Sequence, residues 1–205
     1  IDLDKTYKIK NYDFKNNGKI LRAEFNAPIL RDKFFKKKIE KVFIANSDIN
    51  FSLNNKQKKM DVSGKYSLDT NDFFRFKIMS NLNNDKSVNL KLNFDYDEDI
   101  NIELFNYNKP KGNLAEFSID LSKIKNSLNI NEINYKENKN IITLKGIKIK
   151  NRKFLELGQI SIKTSRKGKK NNDFNISYGK KILIKGDEFD ATNLPKILNQ
   201  KTETN

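Results

Sequence analysis

The sequence predicts an all-β protein: an extended, curved antiparallel β-sheet with one or two short helices. Apolar and polar residues alternate along most of the chain, and no long amphipathic helical pattern separates the alternating segments. Strict alternation is typical of a strand with one buried face, and strands that follow one another without helices favour antiparallel pairing. In the clearest segment, single polar residues separate Val88, Leu90, Leu92, Phe94 and Tyr96.

Further alternating segments extend this pattern on both sides, with polar or glycine-containing turns between them. They cover residues 49–53, 60–68, 74–78, 100–104, 117–121, 142–149, 174–178 and 182–184. We expect residues 88–96 and 100–104 to form a hairpin around an acidic turn at 97–99, because aspartate is common in turns.

Gly146 interrupts the alternation in a way that predicts a bulge. Ile142 and Leu144 share one parity, whereas Ile147 and Ile149 share the other. A bulge or bend at the glycine would keep both pairs on the same face of the sheet. We therefore expect the sheet to curve at this position.

Two segments have helical signals. Residues 31–41 fit a short helix, a strand or a loop, whereas residues 193–198 predict one turn of helix with a proline near its start. We expect the acidic stretch 187–190 to end the last strand and to cap this turn, with Phe189 directed inward.

The composition excludes several kinds of chemistry. The chain has no cysteine, histidine or tryptophan, so it has no disulfides, no thiolate or imidazole metal ligands, and no catalysis through cysteine or histidine. A calcium loop starting at Asp95 also fails, because Ile100 stands where glycine is needed and Asn106 where glutamate is needed. We therefore predict no enzymatic activity, no cofactor and no metal, and interpret 97–99 as an exposed turn.

The formal charge of +15 raises nucleic acid or an anionic membrane as partners. Specific nucleic-acid binding is not expected, because the positive charge is almost all lysine and no aromatic residues are interleaved with a basic groove. The basic run at 165–170 predicts a solvated loop, with contact to anionic lipid headgroups as the alternative. The few arginines are scattered singly: Arg22, Arg31, Arg75, Arg152 and Arg166.

No linker divides residues 1–205, so we interpret them as one continuous segment. We expect this segment to belong to a longer chain, because it begins at Ile1 and shows no signal peptide. The longest apolar run, residues 42–45, is too short to span a bilayer. A sheet with one apolar face must cover that face by packing on a second sheet, by closing into a barrel, or by holding a nonprotein ligand. Sequence alone favours the first two, because sandwiches and barrels are commoner.

Two stretches, 112–147 and 173–198, resemble the bacterial AsmA-like family, especially the central region of its YhdP-type members. The resemblance rests on a strand that ends in an aspartate and a leucine, and on a late strand that ends in glycine before a phenylalanine-aspartate step and a short apolar helix. The residues that carry it are Ile119, Asp120, Leu121, Leu128, Asn129, Ile130, Tyr135, Lys136, Gly186, Phe189, Asp190, Leu194 and Leu198.

This resemblance implies a long β-groove that carries phospholipid between the membranes of a Gram-negative envelope. It also implies a periplasmic location, an inner-membrane anchor in the full-length protein, and pairing with flanking segments of the same chain. The family has no catalytic residues to assign. The alternative is a closed β-sandwich that serves as a structural or adhesive envelope module without a ligand.

On the groove interpretation, the residues of apolar parity form a floor that contacts the acyl chains. The predicted lipid-binding residues are Leu90, Leu92, Phe94, Ile102, Leu104, Phe117, Ile119, Leu121, Ile142, Leu144, Phe174, Ile176, Ile182 and Ile184.

Overall fold

The structure is a computed structural model that describes residues 1–29 and 39–196. The segment 31–41, for which a helix, a strand or a loop was predicted, lies mostly outside these residues; its last part, from Ile39, begins a strand. Leu198, the predicted end of the C-terminal helical turn, also lies outside them. Residues 194–196 are helical, as predicted.

The described residues form strands almost throughout, together with one 3-10 helix, η1 (Glu103–Phe105). The strands are β1 (Asp2–Leu3), β2 (Ile9–Asn11), β3 (Asp13–Ile29), β4 (Ile39–Asn54), β5 (Gln57–Ser67), β6 (Phe74–Asn83), β7 (Val88–Tyr96), β8 (Ile100–Ile102), β9 (Tyr107–Lys109), β10 (Ala115–Ile124), β11 (Ser127–Glu137), β12 (Asn140–Lys150), β13 (Lys153–Glu156), β14 (Gln159–Arg166), β15 (Lys169–Tyr178) and β16 (Ile182–Glu188).

Twelve of these strands form one antiparallel sheet, which confirms the predicted fold class. Its order is β16-β15-β14-β12-β11-β10-β7-β6-β5-β4-β3, and β13 pairs with one end of β12. The two outermost strands, β3 and β16, do not pair with each other, so the sheet is open and is not a barrel. Two small hairpins, β1-β2 and β8-β9, lie outside this sheet.

Apolar side chains cross the sheet in rows, because directly paired residues of neighbouring strands point to the same face. Row A consists of Phe76, Phe94, Phe117, Tyr135, Ile142, Ile162 and Phe174. Row B consists of Val62, Ile78, Leu92, Ile119, Ile133, Leu144, Ile160, Ile176 and Ile184. Row C consists of Leu90, Leu121, Ile130 and Ile147.

The alternation slips by one residue at Gly146, as predicted, although β11 and β12 stay in register across it. The glycine has a φ of 68°, and the pairing of β11 with β12 steps from Leu144 and Lys145 to Ile147 without including it. Asn131 is skipped in the same way on β11, where the register with β10 shifts by one residue. Glycine accepts the positive φ at no steric cost, so rows B and C stay on one face although their residues have opposite parity.

The predicted hairpin between residues 88–96 and 100–104 is wrong. After β7 the chain leaves the sheet, folds back over its apolar face as residues 97–114, and returns as β10, which pairs directly with β7. We call residues 97–114 the cap. The cap buries Phe105 and Tyr107, which are 5% and 3% exposed, and the burial of two aromatic rings outweighs continued pairing along the sheet.

The cap lies over one end of the strands only. We call this the covered end; the opposite ends of β10 to β16, with the turns after β10, β12 and β15, form the open end. Within the described part of the chain, the strands outside the main sheet are those of the two small hairpins, β1-β2 and β8-β9, and the side chains of rows B and C are half-buried or exposed except for Val62. No second sheet of described residues therefore covers rows B and C.

Candidate functional site

The apolar face of the sheet is the candidate site, and the structure places most of the predicted floor on it. Row A contains four of the predicted residues: Phe94, Phe117, Ile142 and Phe174. Rows B and C contain Leu92, Ile119, Leu144, Ile176, Ile184, Leu90 and Leu121. Ile182 lies on β16 with the parity of Ile184 and pairs with Tyr178.

Ile102 and Leu104 do not lie on the sheet, contrary to the prediction. Ile102 is in the cap and packs against the buried cluster beneath it, whereas Leu104 lies in η1 and is 45% exposed. Ile100 and Ile102 belong to the short strand β8 of the cap, and the chain turns at η1, so Phe105 rather than Leu104 is buried against the sheet. Sequence reasoning placed these two residues by parity alone.

Burial is greatest under the cap and in a second cluster around Val62, Tyr66 and Phe76, and it is lowest on the outer strand β16. In row A, Ile142, Ile162 and Phe174 are buried under the cap, at 5%, 3% and 4% exposure. The row B side chains from Ile78 to Ile176 are half-buried, as are all those of row C. On β16, Ile184 is 65% exposed. Rows B and C, apart from the buried Val62, and Ile184 on β16 are therefore the part of the apolar face that a ligand can reach.

Ring packing stiffens the boundary between the covered and accessible parts. Phe94 and Phe117 are stacked with their centroids 4.9 Å apart, and the Phe117 ring meets Tyr135 edge-on at 5.1 Å. Tyr66 packs edge-on against Phe94 at 6.2 Å. Each such pair contributes about 0.5–1.5 kcal/mol beyond the burial of its apolar area, so these ring contacts stabilise the boundary between row A and row B.

A buried polar cluster under the cap was missed by the sequence analysis. The Glu137 carboxylate, which is 4% exposed, accepts hydrogen bonds from the Tyr107 hydroxyl (3.2 Å) and from the amides of Asn113 (3.2 Å), Asn138 (2.7 Å) and Asn140. Burial, with smaller effects of Tyr135 and Glu137, raises the pKa of Tyr107 far above its ordinary value. The phenol stays protonated and the carboxylate has partners on both oxygens, so the cluster ties the cap to the sheet.

Lys109 is a second buried charge in the cap. Its side chain is fully buried, and Nζ donates to the carbonyl oxygens of Asp97 (2.8 Å), Glu98 (2.9 Å) and Pro110 (3.2 Å). Burial lowers the pKa of Lys109, and nearby carboxylates oppose this effect. All three ammonium protons thus have acceptors, and the lysine connects the start of the cap, at Asp97 and Glu98, to its later part at Pro110. The sequence signal that could have indicated the cap is the loss of alternation after Phe105, together with Pro110.

The acidic stretch at 97–99 is not the exposed hairpin turn that was predicted. Asp97 accepts a hydrogen bond from the backbone N–H of Gly112 at 3.0 Å, and Asp99 accepts one from the N–H of Lys111 at 2.9 Å. Asp95 is buried and pairs with Arg75 at 2.7 Å. These carboxylates hold the start of the cap, and the described residues contain no group of three or more that could hold a metal ion.

The C-terminal acidic residue Asp190 closes the covered end from the other side, as its predicted capping role requires. Its carboxylate accepts hydrogen bonds from Thr192 (backbone N–H, 3.1 Å), Asn106 (2.9 Å) and Asn171 (3.1 Å). The Phe189 ring meets Phe174 edge-on at 5.1 Å while remaining 44% exposed. Asp190 thereby links the cap, β15 and the C-terminal turn.

Acid is expected to loosen this link. Hydrogen bonds, chiefly from Thr192 and Asn171, lower the pKa of Asp190 below its ordinary value of 3.8. A carboxylate with a lowered folded pKa stabilises the fold above the unfolded value and loses that contribution as the pH falls. Amide exchange at Thr192 should therefore accelerate, relative to exchange in the sheet, as the pH drops below 3.8. Asp190→Asn should remove this dependence; an unchanged pH profile in the variant would contradict the role.

These features define a class of protein: an open, single-layer antiparallel β-sheet with one apolar face that is covered at one end. In comparisons with known proteins, no family model, no curated protein and no solved structure matched this chain. None of the helices in the described residues is long and apolar enough to cross a membrane.

Proposed function

We propose that this protein is a non-enzymatic segment of an envelope phospholipid-transfer bridge, in which the apolar face shields acyl chains from water. One observation carries the proposal: apart from the buried Val62, the apolar side chains of rows B and C remain half-buried or exposed, and the described strands form no second large sheet to cover them. A large apolar side chain left in water forgoes about 1.5–3 kcal/mol of burial, so such a surface favours a ligand that covers it.

Phospholipid suits this surface because its acyl chains are apolar, whereas its headgroup is polar and can remain in water. Each CH₂ of an acyl chain gains about 0.8 kcal/mol when it leaves water, and a face of aliphatic side chains offers no polar groups that would require partners. The headgroup stays in solvent, where no specific contact is needed. The mechanism is passive, so chains slide along the face and no side chain has to titrate.

The AsmA-like resemblance of residues 112–147 and 173–198 supports the same proposal and supplies its setting. The proposal includes membership of that family and a periplasmic location. It also includes an inner-membrane anchor elsewhere in the full-length chain and flanking segments as partners. The unpaired outer edges of β3 and β16 support the last of these, because an exposed strand edge presents free N–H and C=O groups to another strand.

The test uses two photo-crosslinking residues one position apart. Leu92 lies in row B, and Asn93 points to the opposite face, where it lines an open cavity of about 560 Å³ with Arg75, Lys77 and Lys136. Both positions can be reached by small molecules, so access does not distinguish them. We expect a crosslinker at 92 to yield phospholipid adducts in cells and one at 93 to yield none.

Native mass spectrometry after mild purification supplies an independent readout, with co-purifying phospholipid as the expected result. Equal adducts at both positions would indicate nonspecific labelling and reject the proposal. Protein adducts at 92 without lipid would favour the alternative, a structural or adhesive module whose apolar face is covered by another polypeptide.

A further inference from the structure

Charge is distributed unevenly along the strands, and the open end is strongly basic. Cations follow one another on the turns after β10, β12 and β15 and on the strand ends that flank them. We call this set the basic rim: Lys123, Lys125, Lys150, Arg152, Lys153, Lys180 and Lys181. All of these residues are exposed, and none has an ion pair with a described carboxylate.

The basic rim is continuous in space, because the backbone joins its three parts. The N–H of Asn151, in the turn after β12, donates to the carbonyl of Asn126, in the turn after β10, at 3.1 Å. The N–H of Tyr178, at the end of β15, donates to the carbonyl of Gly158 at 2.8 Å, next to β13 and β14. The cations of three separate turns therefore lie along one border of the sheet.

Large apolar side chains are exposed between these cations. They are Ile124 (44%), Phe154 (63%), Leu155 (60%), Tyr178 (37%) and Ile182 (65%). Exposed aliphatic and aromatic groups in a lysine-rich border are typical of a surface that inserts shallowly beneath anionic headgroups. A nucleic acid would satisfy the cations but would leave Ile124, Leu155 and Ile182 in water.

Acidic residues are concentrated at the other end of the sheet. The cap and the end of β16 contain Asp97, Glu98, Asp99, Glu103, Asp187, Glu188 and Asp190. Near the rim, Glu156 already pairs with Lys148 at 2.6 Å. The covered end also carries the basic run at 165–170, so its charge is mixed, whereas the carboxylate near the rim, Glu156, is already paired. This excess of unpaired cations favours the rim as the side that faces a negative surface.

We propose that the basic rim docks this protein on a surface of anionic phospholipid headgroups, with Phe154 and Leu155 entering the interface and the cap pointing away. This docking depends on charge and exposure at the border and not on what the apolar face holds, so it goes beyond the proposed lipid transfer. It also differs from the contact predicted for the basic run at 165–170. The structure places that run at the covered end, in the paired strand ends and the two-residue turn of the β14-β15 hairpin.

Vesicle co-flotation tests the proposal, with vesicles of phosphatidylcholine alone and vesicles that also contain phosphatidylglycerol. The rim variant is Lys125→Gln/Arg152→Gln/Lys153→Gln, and the control, Arg166→Gln/Lys167→Gln/Lys169→Gln, removes the same charge at the covered end. Each cation near an anionic surface contributes about fivefold in affinity, so the rim variant should bind anionic vesicles about a hundredfold more weakly. The control should bind about as well as the unmodified chain.

Phe154→Ser provides a second variant that leaves the charge unchanged and should also weaken binding to anionic vesicles. Three results would overturn the proposal: no preference of the unmodified chain for anionic vesicles, equal losses in the rim and control variants, or salt-sensitive binding of an oligonucleotide that outcompetes the vesicles. None of them depends on adducts at position 92, so docking and lipid transfer can fail separately.

Discussion

Replacing Phe105 by alanine is expected to lower the free energy of unfolding by about 3–5 kcal/mol, as for other large buried rings. The Phe105 side chain is 5% exposed and meets the Phe174 ring edge-on at 6.5 Å. The Asn172 side-chain amide also donates to the backbone carbonyl of Phe105 at 2.8 Å, so a shift of η1 would leave this buried donor without an acceptor. Urea denaturation followed by circular dichroism measures the loss.

Leu104→Ala is the matched control, because the residue is adjacent in sequence and 45% exposed. We expect it to change the free energy of unfolding by less than about 1 kcal/mol, as is usual at the surface. Amide exchange in residues 97–114 should rise in Phe105→Ala and not in Leu104→Ala. Equal losses of stability in the two variants would contradict the burial of Phe105, and not Leu104, under the cap.

Replacing Gly64 by alanine is expected to lower the free energy of unfolding by about 1–3 kcal/mol through overpacking. A Cβ at this position would lie 1.9 Å from Ser47 Oγ and 2.6 Å from Ser47 Cα, and a backbone atom cannot rotate away. Ser47 is held there because Asn46 has a φ of 47° and shifts the register of β4 with β5. The midpoint of urea denaturation measures the effect.

Gly18→Ala provides the control for Gly64→Ala. A Cβ at Gly18 would approach only Ile49 Cγ2, at 3.2 Å, and that methyl group is at the end of a side chain that can adjust. We expect a change within about 0.5 kcal/mol. Ser47→Gly should restore part of the stability lost in Gly64→Ala, since it removes the side-chain part of the clash. Equal effects of the two alanines would show that β4 and β5 do not approach closely at Ser47.

Lipid access and stability are expected to respond to different substitutions. The cap buries Ile142, Ile162 and Phe174 of row A and contributes to stability, whereas rows B and C remain accessible apart from Val62. A variant with a loosened cap, such as Phe105→Ala, exposes more of the apolar face without removing a row B residue. On the proposed function, such a variant should still yield lipid adducts at position 92, although it unfolds at lower urea concentration.

Strand positions and side-chain parity were predictable from the sequence because both are local. The segment 88–96 is a strand, and its apolar residues lie on one face. At Gly146 the alternation slips by one residue, so Leu144 and Ile147 lie on the same face. The alternation is set by the backbone, in which successive side chains point to opposite faces whatever the strand packs against. Predicted floor residues such as Leu92, Ile119 and Leu144 therefore fall into one row.

Ile102 and Leu104 could not be placed in the same way. Alternation over three residues does not distinguish a strand of the main sheet from a small hairpin folded over it, because both have the same period. The outcome depends on Phe105 and Tyr107, which find Tyr135, Ile142 and Phe174 on strands far away in the sequence. No local pattern encodes those contacts.

The amino-acid sequence by itself determined that this protein is an antiparallel β-sheet with one apolar face, since hydrophobic period and turn residues act over a few positions. Only the tertiary structure decided how that face is divided. The cap covers the part of row A that includes Ile142, Ile162 and Phe174 and leaves most of rows B and C accessible, because the burial of a side chain depends on neighbours from many strands. The same holds for the basic rim, whose cations come from three turns that meet only when the strands are in register.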